Sequence, residues 1–470
     1  MISKDRIVYF IALSISFLYA IVGSIVSVIR FWQYDVFYFD FGIFDKAIWS
    51  VSRFTIPIID HYALGEKIIF ADHFSPSIFI FAPFFWIFPY SEILLVLQAC
   101  TVAASGFILF LIGKHILKNS FYAVTIMFYY YLFVGLQNAV ITDFHEVTIA
   151  TLFFMLTFLC LVKQKIKLYF LCFLLLLGFK ESMFLLGVGV GIAILFLQPS
   201  WRKIAYTTIL ISLLWGLLSV KVIIPFFSGG TYLYMNEFPT SPINVLSSLI
   251  DSSVKLHTLF YTFLSFGFLP VLSPAFWFLI FQDFITRFYP AEMVARWGLG
   301  FHYSALTSAI MAVSSIYSVH FLKKRIKNKF LTILMIFVLL IAGFLYRVTL
   351  HGPFALSYNP AFYTHTKDLV FLDNLIKKVP KNASVMAQNN IASHFAHQKV
   401  WLLLSSNKKN SVEYYTLKEP DYIVFDNRPG QNPNDHFGIS DINVLLNNLQ
   451  KDKNYKLFYH VGGSYIYKHR

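Results

Sequence analysis

The sequence predicts a polytopic α-helical membrane protein ending in a small α/β domain, and three observations carry that prediction. Of 470 residues, 57% are hydrophobic and only 13% charged. Apolar runs long enough to cross a bilayer recur up to residue 349. Beyond that the composition turns polar and mixed, with short apolar runs alternating with amphipathic ones. The net charge of +14 does not point to nucleic acid, because Lys and Arg cluster in short loops between apolar runs, as the positive-inside rule requires. Cys100, Cys160 and Cys172 lie in apolar runs and read as packing residues, with no disulfide or metal framework.

The first run, 7–29, is too long for a signal-peptide core and lacks a small-residue cleavage site. It reads as an uncleaved anchor behind Lys4 and Arg6, with the N-terminus inside. The loop 30–90 is then outside. It carries Phe39-Asp40-Phe-Gly-Ile-Phe-Asp45, where Asp40 can cap a short interfacial helix whose apolar face is Phe41, Phe44 and Ile48. Asp60, His61, Glu66, Asp72 and His73 follow. Segment 77–88, bounded and broken by prolines, would reach only about 18 Å, short of the roughly 30 Å hydrocarbon core. It is expected to lie at, or dip into, the outer face.

Runs 92–112, 121–141 and 147–162 go in, out and in, closed by Lys114, Lys118, Lys163, Lys165 and Lys167. The tip Thr142-Asp143-Phe-His145-Glu146 is therefore outside. Segment 168–198 has basic flanks on both sides, so it must cross an even number of times. It reads as a shallow hairpin with Lys180-Glu181-Ser182 at its tip. A charge at membrane depth costs about 2.5–3.5 kcal/mol on insertion scales unless it pairs or meets water, so Lys180 and Glu181 are expected to face a wet cavity. Run 204–226 goes out, and arms 259–272 and 275–286 make a second shallow hairpin. The next outer loop carries Arg287, Glu292, Arg296, Trp297, His302 and Tyr303. Run 304–322 goes in to a Lys/Arg cluster at 323–329, and 330–347 goes out. The count is about eleven crossings, with the C-terminus outside. Domain 350–470 is expected to hold helices at 368–378, 390–397 and 441–450. Its strands are expected at 383–387, 400–404, 421–425, 456–460 and 464–468, the last two joined at Gly462-Gly463.

On this topology Asp40, Asp45, Asp72, His73, Asp143, His145, Glu146, Lys180, Glu181 and His302 all fall on the outer side, as the polar groups of one cavity would. Asp143, His145 and Glu146 offer carboxylate, imidazole and carboxylate, a set that can bind a divalent metal such as Mg or Mn. Lys180 is a natural phosphate partner. His302-Tyr303 reads either as an interfacial anchor or as part of the site.

Phe39-Asp40-Phe-Gly-Ile-Phe-Asp45-Lys-Ala-Ile-Trp49, His73-Phe-Ser-Pro76, Pro83, Gln98, Asp143-Phe-His145, Lys180-Glu181, His302-Tyr303-Ser304 and Pro420-Asp421-Tyr-Ile-Val, in that order, resemble the DUF2079 family of predicted membrane proteins. Two positions depart from its pattern: Glu146 replaces a proline, and Ser182 stands where an acid is common. The resemblance implies a GT-C-like fold and a glycosyltransferase of a prokaryotic plasma membrane. It implies a polyprenyl-phosphate-linked sugar as donor, a lipid, glycan or protein acceptor, and inversion at the sugar carbon. By the same resemblance Asp40 is the essential acid of the first external loop, with Asp45 beside it. His73, Lys180, Glu181, Arg296, His302 and Tyr303 are then expected at the substrate and its phosphate. The rival expectation is a non-catalytic lipid or polysaccharide transporter or assembly factor, since buried charges mark transport pathways too.

Overall fold

The structure, a computed structural model, describes residues 4–230, 232–234, 241–289, 293–403, 405–406, 409–428 and 439–470. Glu292 and Leu404 fall outside them. Helix α1 (Lys4–Trp32) leads into a wide π-type turn, Tyr38–Gly42, and then α2 (Ile43–Ser52). A short antiparallel pair follows, β1 (Ile58–His61) and β2 (Gly65–Ile68), and then a 3₁₀ segment, Pro76–Trp86. The bundle continues through α3 (Glu92–Leu117), α4 (Ser120–Leu132), α5 (Val134–Ile141), α6 (Glu146–Val162), α7 (Ile166–Leu177), α8 (Met183–Leu197) and α9 (Arg202–Leu218). Short helices α10 (Ile224–Ser228) and α11 (Pro242–Ser247) precede α12 (Ser253–Ser265) and α13 (Trp277–Phe288). Two long helices close the bundle, α14 (Ser304–Lys323) and α15 (Asn328–Phe344).

Among the described residues five helices are long and apolar enough to cross a membrane, or six when the bent pair α4–α5 is taken as one span. The segments 147–162, 168–198 and 77–88 appear as shorter apolar helices, and 168–198 is the expected hairpin, α7 and α8 around residues 178–182. Helix α14 is the axis of the bundle. Its apolar stretch is 78% buried, against 28% for that of α15 and its extension. Composition explains the difference: Ser304, Ala305, Ser308, Ala309, Ala312, Ser315 and Ser318 let neighbouring helices approach closely. The hydroxyls of Ser308, Ser315 and Ser318 are satisfied inside the helix, as where Ser315 donates to the Met311 carbonyl at 2.7 Å. Helices α1, α9 and α15 instead turn rows of Leu, Ile and Phe outward, the surface lipid covers.

At one end of the bundle the turns α3–α4, α6–α7 and α14–α15 carry Lys or Arg, and at α8–α9 Arg202 and Lys203 open α9. The opposite end collects the polar loops. Helix α4 bends into α5 by 56° at Phe133, and Gly135 makes the close approach to α14: a Cβ there would lie 2.6 Å from that of Ser304. This bend delivers the α5–α6 loop to the polar end.

The C-terminal part is a five-stranded sheet in the order Val400–Leu402, Val385–Ala387, Tyr422–Asp426, Ser464–His469, Tyr455–Val461. The first three strands run parallel and the last two pair antiparallel. Alternation assigns its faces. Val385, Leu402, Val424 and Ile466 join Leu372 and Leu375 of helix Lys367–Lys378 in one core. Met386, Trp401, Ile423 and Tyr467 join Leu445 and Leu449 of helix Ile439–Lys451 in the other. The expected strands and helices of 350–470 are all present within a few residues; Ser411–Lys418 is an additional helix.

Candidate active site

The π-type turn Tyr38–Gly42 presents Asp40. It needs glycine at its end: a Cβ on Gly42 would lie 2.3 Å from Cδ2 of the Tyr38 ring. The expected capping role of Asp40 is not what the turn uses. The residues that open the turn and α2, Phe37 and Gly42, cap with no side-chain bond, because Asp40 sits inside the wide turn rather than before it. Its carboxylate is 40% exposed and lies 3.7 Å from Nε2 of His145.

Gln98, fully buried on α3, builds the loop that brings His145 there. Its amide donates to the carbonyls of Val140 at 3.0 Å and Asp143 at 2.6 Å, while its oxygen accepts the backbone N–H of His145 at 2.8 Å. Nδ1 of His145 lies 3.0 Å from the Thr142 carbonyl, which only accepts, so Nδ1 carries a proton and Nε2 is the atom turned to Asp40. The ring stacks on His302 with centroids 3.4 Å apart, and His302 lies against Tyr303 at 4.0 Å. Burial works against charge on His145, but Asp40, Glu146 and Asp143 outweigh it and its pKa rises. Burial and the neighbouring His145 push His302 well down. Of the stacked pair, His145 therefore holds the proton.

Asp143 takes a left-handed φ of 49°. Burial and then the Asp40 charge push its carboxyl up to about 7. Below the ordinary value of 3.8 the acid is neutral in folded and unfolded chains alike. As pH rises the unfolded chain ionises first, and stability is lost until about pH 7. Asp143→Asn, which mimics the neutral acid, is expected to leave the thermal unfolding midpoint unchanged near pH 4 and to raise it at pH 8. Equal shifts at both pH values contradict this.

Glu146 faces the opposite way from His145, and its Oε1 lies 2.7 Å from Nζ of Lys180. Glu181 is a hub: it accepts from His73 Nδ1 at 2.9 Å, from the Phe74 backbone N–H at 3.1 Å and from the Tyr232 hydroxyl. Tyr234 stacks on His73 at 4.6 Å. Beyond it, Nδ1 of His61 accepts the backbone N–H groups of Ala63 and Leu64, which leaves Nε2 to carry the proton and point at Asp72, 3.4 Å away. Burial opposes charge on Asp72, but His73, His61 and Tyr234 outweigh it and hold its carboxyl well below the usual range.

The residues expected at the site thus divide. Asp40, Asp143, His145 and His302 come together, with Lys180 joined to them through Glu146. Arg296 lies over the Tyr303 ring, 5.7 Å from its centroid, and its loop is tied to the buried Arg287, which donates to the carbonyls of Arg296 and Gly298. Glu181, expected at the substrate phosphate, has both carboxylate oxygens bonded to protein partners in this structure. Of the set expected for a metal, Asp143, His145 and Glu146, the last is bonded to Lys180 at 2.7 Å and His145 lies beside Asp40. Among the described residues no group of three or more His, Cys, Asp or Glu is arranged to hold one.

Asp45 is fully buried and bonded at 2.9 Å to Nε2 of His397, whose ring stacks on Trp49 at 3.9 Å. It fastens the first loop to the C-terminal part. Three more contacts do the same. Asn389 accepts the Phe39 N–H at 2.8 Å, Asp60 accepts the Leu402 N–H at 2.8 Å, and Ser393 donates to the Val36 carbonyl at 3.0 Å. Gln98 is the one of these structural residues that sequence could signal, as a lone amide in an apolar run. Asn389, His397, Tyr232 and Tyr234 carried no such mark.

A family model described as a predicted membrane protein, DUF2079, matches residues 30–461. The chain belongs to the DUF2079 family. The DUF2079 match covers the first loop, the whole polar end of the bundle and most of the sheet, so Asp40 and its anchor Asn389 fall within one family unit. No curated protein matches the chain.

Proposed function

We propose that this protein is a GT-C-like membrane glycosyltransferase that moves a sugar from a polyprenyl-phosphate donor to an acceptor hydroxyl, with inversion. The observation that carries the reading is Asp40: the carboxylate of the cluster that is open to an incoming group, standing 3.7 Å from a protonated His145. An acceptor hydroxyl is a poor nucleophile and needs a base within hydrogen-bond reach. In the proposed step Asp40 takes the hydroxyl proton as the oxygen bonds to the sugar C1. The C1–O bond to phosphate breaks on the opposite face, and polyprenyl phosphate leaves with the electron pair. Lys180, Arg296 and His145 supply positive charge where the phosphate charge grows. One base and an activated leaving group suffice, unlike the two carboxylates of glycoside hydrolysis.

The transporter reading asks for a charged route through the bundle. Among the described residues the buried Asp, Glu, His, Lys and Arg of the membrane part gather at the polar end, while the bundle interior carries Ser, Thr, Gln and Tyr. That distribution favours the enzyme. The experiment is mass spectrometry of the lipid that co-purifies. A polyprenyl phosphate or its glycoside is expected, and bulk phospholipid alone counts against the donor.

The proposed orientation, N-terminus inside, polar end outside and about eleven crossings once the short arms are included, follows the basic turns. Single cysteines are placed in a variant whose three natural cysteines are Ala. Asn119→Cys or Asn328→Cys is expected to be protected from an impermeant thiol reagent in intact cells, and Ser228→Cys to label. Labelling at Asn328 reverses the orientation. Asn407, the other outer position that the sequence offers for labelling, lies outside the described residues.

A further inference from the structure

Helix α15 turns Phe330, Ile333, Phe337, Leu340 and Phe344 outward, spaced alternately by three and four residues, a single stripe for a lipid chain. The next position on that spacing is Arg347, which is exposed, in the wider-wound turn Leu345–Thr349. The stretch Asn328–Thr349 has 22 residues. At about 1.5 Å per residue it just crosses the roughly 30 Å core, so Arg347 stands at headgroup level.

There the chain folds back on itself. The Gly352 N–H donates to the Tyr346 carbonyl at 2.7 Å, and a Cβ on Gly352 would lie 1.8 Å from Cε2 of Tyr346, so only glycine closes the turn. His351 is held at a left-handed φ of 50°. The fold-back shapes an open hollow of about 590 Å³ lined by Arg347, His351, Tyr346, Tyr358 and Asn359, with no Asp or Glu in its wall. Arg347 has no ion-pair partner among the described residues. Asn359 uses its side-chain oxygen to accept the Ala361 N–H, which leaves its amide NH₂ to donate.

We infer that this hollow binds the phosphate of an anionic phospholipid headgroup, with an acyl chain laid along the α15 stripe. A cation, hydroxyls and an amide donor in an acid-free hollow suit a phosphate, and its continuity with the apolar stripe selects a lipid over a free anion. The site is separate from the Asp40 cluster and does not depend on the proposed transfer reaction.

The test is thermal unfolding of the purified protein in a neutral detergent, titrated with short-chain phosphatidylglycerol, short-chain phosphatidylcholine or glycerol phosphate. Phosphatidylglycerol is expected to raise the midpoint at lower concentration than phosphatidylcholine, and glycerol phosphate to have no effect. Arg347→Gln is expected to raise the half-saturating concentration about fivefold, and Arg347→Gln with His351→Gln to raise it further. Both side chains are exposed, so midpoints without lipid are expected to match the wild type. Native mass spectrometry of the wild type, expected to retain phosphatidylglycerol over phosphatidylcholine, is the measurement that needs no variant. Equal responses to the two lipids, an unchanged response in the double variant, or an equal effect of glycerol phosphate overturns the lipid site.

Discussion

Asp40→Asn is expected to lower sugar transfer by about 10²–10⁴-fold, the usual cost of losing a general base, while insertion, folding and donor binding persist. Asparagine keeps the shape and the hydrogen-bonding capacity of the side chain and removes only the proton acceptor. Were Asp40 a helix cap the substitution would be nearly silent, since Asn caps as well as Asp. The structure shows no capping bond from Asp40, and its carboxylate faces His145 instead. Asp45→Asn is the matched control. That carboxylate is buried against His397, away from solvent, so its loss is expected to lower the unfolding midpoint through a weakened charge-assisted bond and to reduce transfer less than Asp40→Asn. A larger catalytic loss at Asp45 than at Asp40 reverses the assignment.

Gln98→Leu is expected to be the most destabilising single change at the site. Leucine fills a similar volume but offers no hydrogen bond. It strands the His145 N–H and the Asp143 carbonyl, both bound by Gln98 in the wild type. Each buried orphan costs about 1–3 kcal/mol, so a loss of about 2–6 kcal/mol is expected, read as a lowered unfolding midpoint in detergent. Transfer falls as well, because the loop no longer holds His145 beside Asp40. Gln98→Glu, which retains the oxygen that accepts from His145, is expected to recover part of the stability. A wild-type midpoint for Gln98→Leu shows that the loop is held by something other than this amide.

The helices and the C-terminal strands were legible because burial marks the sequence: α15 buries one stripe at helical spacing, Leu331, Met335, Val338 and Ala342, and Tyr422–Asp426, buried at every position, is a short apolar run. Charge added the ends of the bundle, since the Lys- and Arg-rich connections α3–α4, α6–α7, α8–α9 and α14–α15 fall on one of them. Which polar residues would meet was less legible. Asp143, His145 and Glu146 are close in sequence, but His145 precedes α6 and Glu146 opens it, so their side chains diverge, one to Asp40 and the other to Lys180. Lys180 and Glu181 divide between Glu146 and His73 in the same way. The contacts that fasten the first loop, Asp45 to His397 and Phe39 to Asn389, join residues about 350 apart, and no local pattern encodes such a pairing. Hairpin β1–β2 was missed because its turn, Tyr62-Ala-Leu-Gly65, lacks the Asn-Gly or Asp-Gly signal.

The central claim, transfer of a sugar by inversion with Asp40 as base, is tested most directly with wild-type protein in nanodiscs supplied with a panel of polyprenyl-phosphate sugars and acceptors. The account predicts release of polyprenyl phosphate coupled to a product of inverted anomeric configuration, abolished or nearly so in Asp40→Asn although the donor still binds. Movement of the intact donor across the bilayer without any transfer, or full transfer by Asp40→Asn, would contradict it.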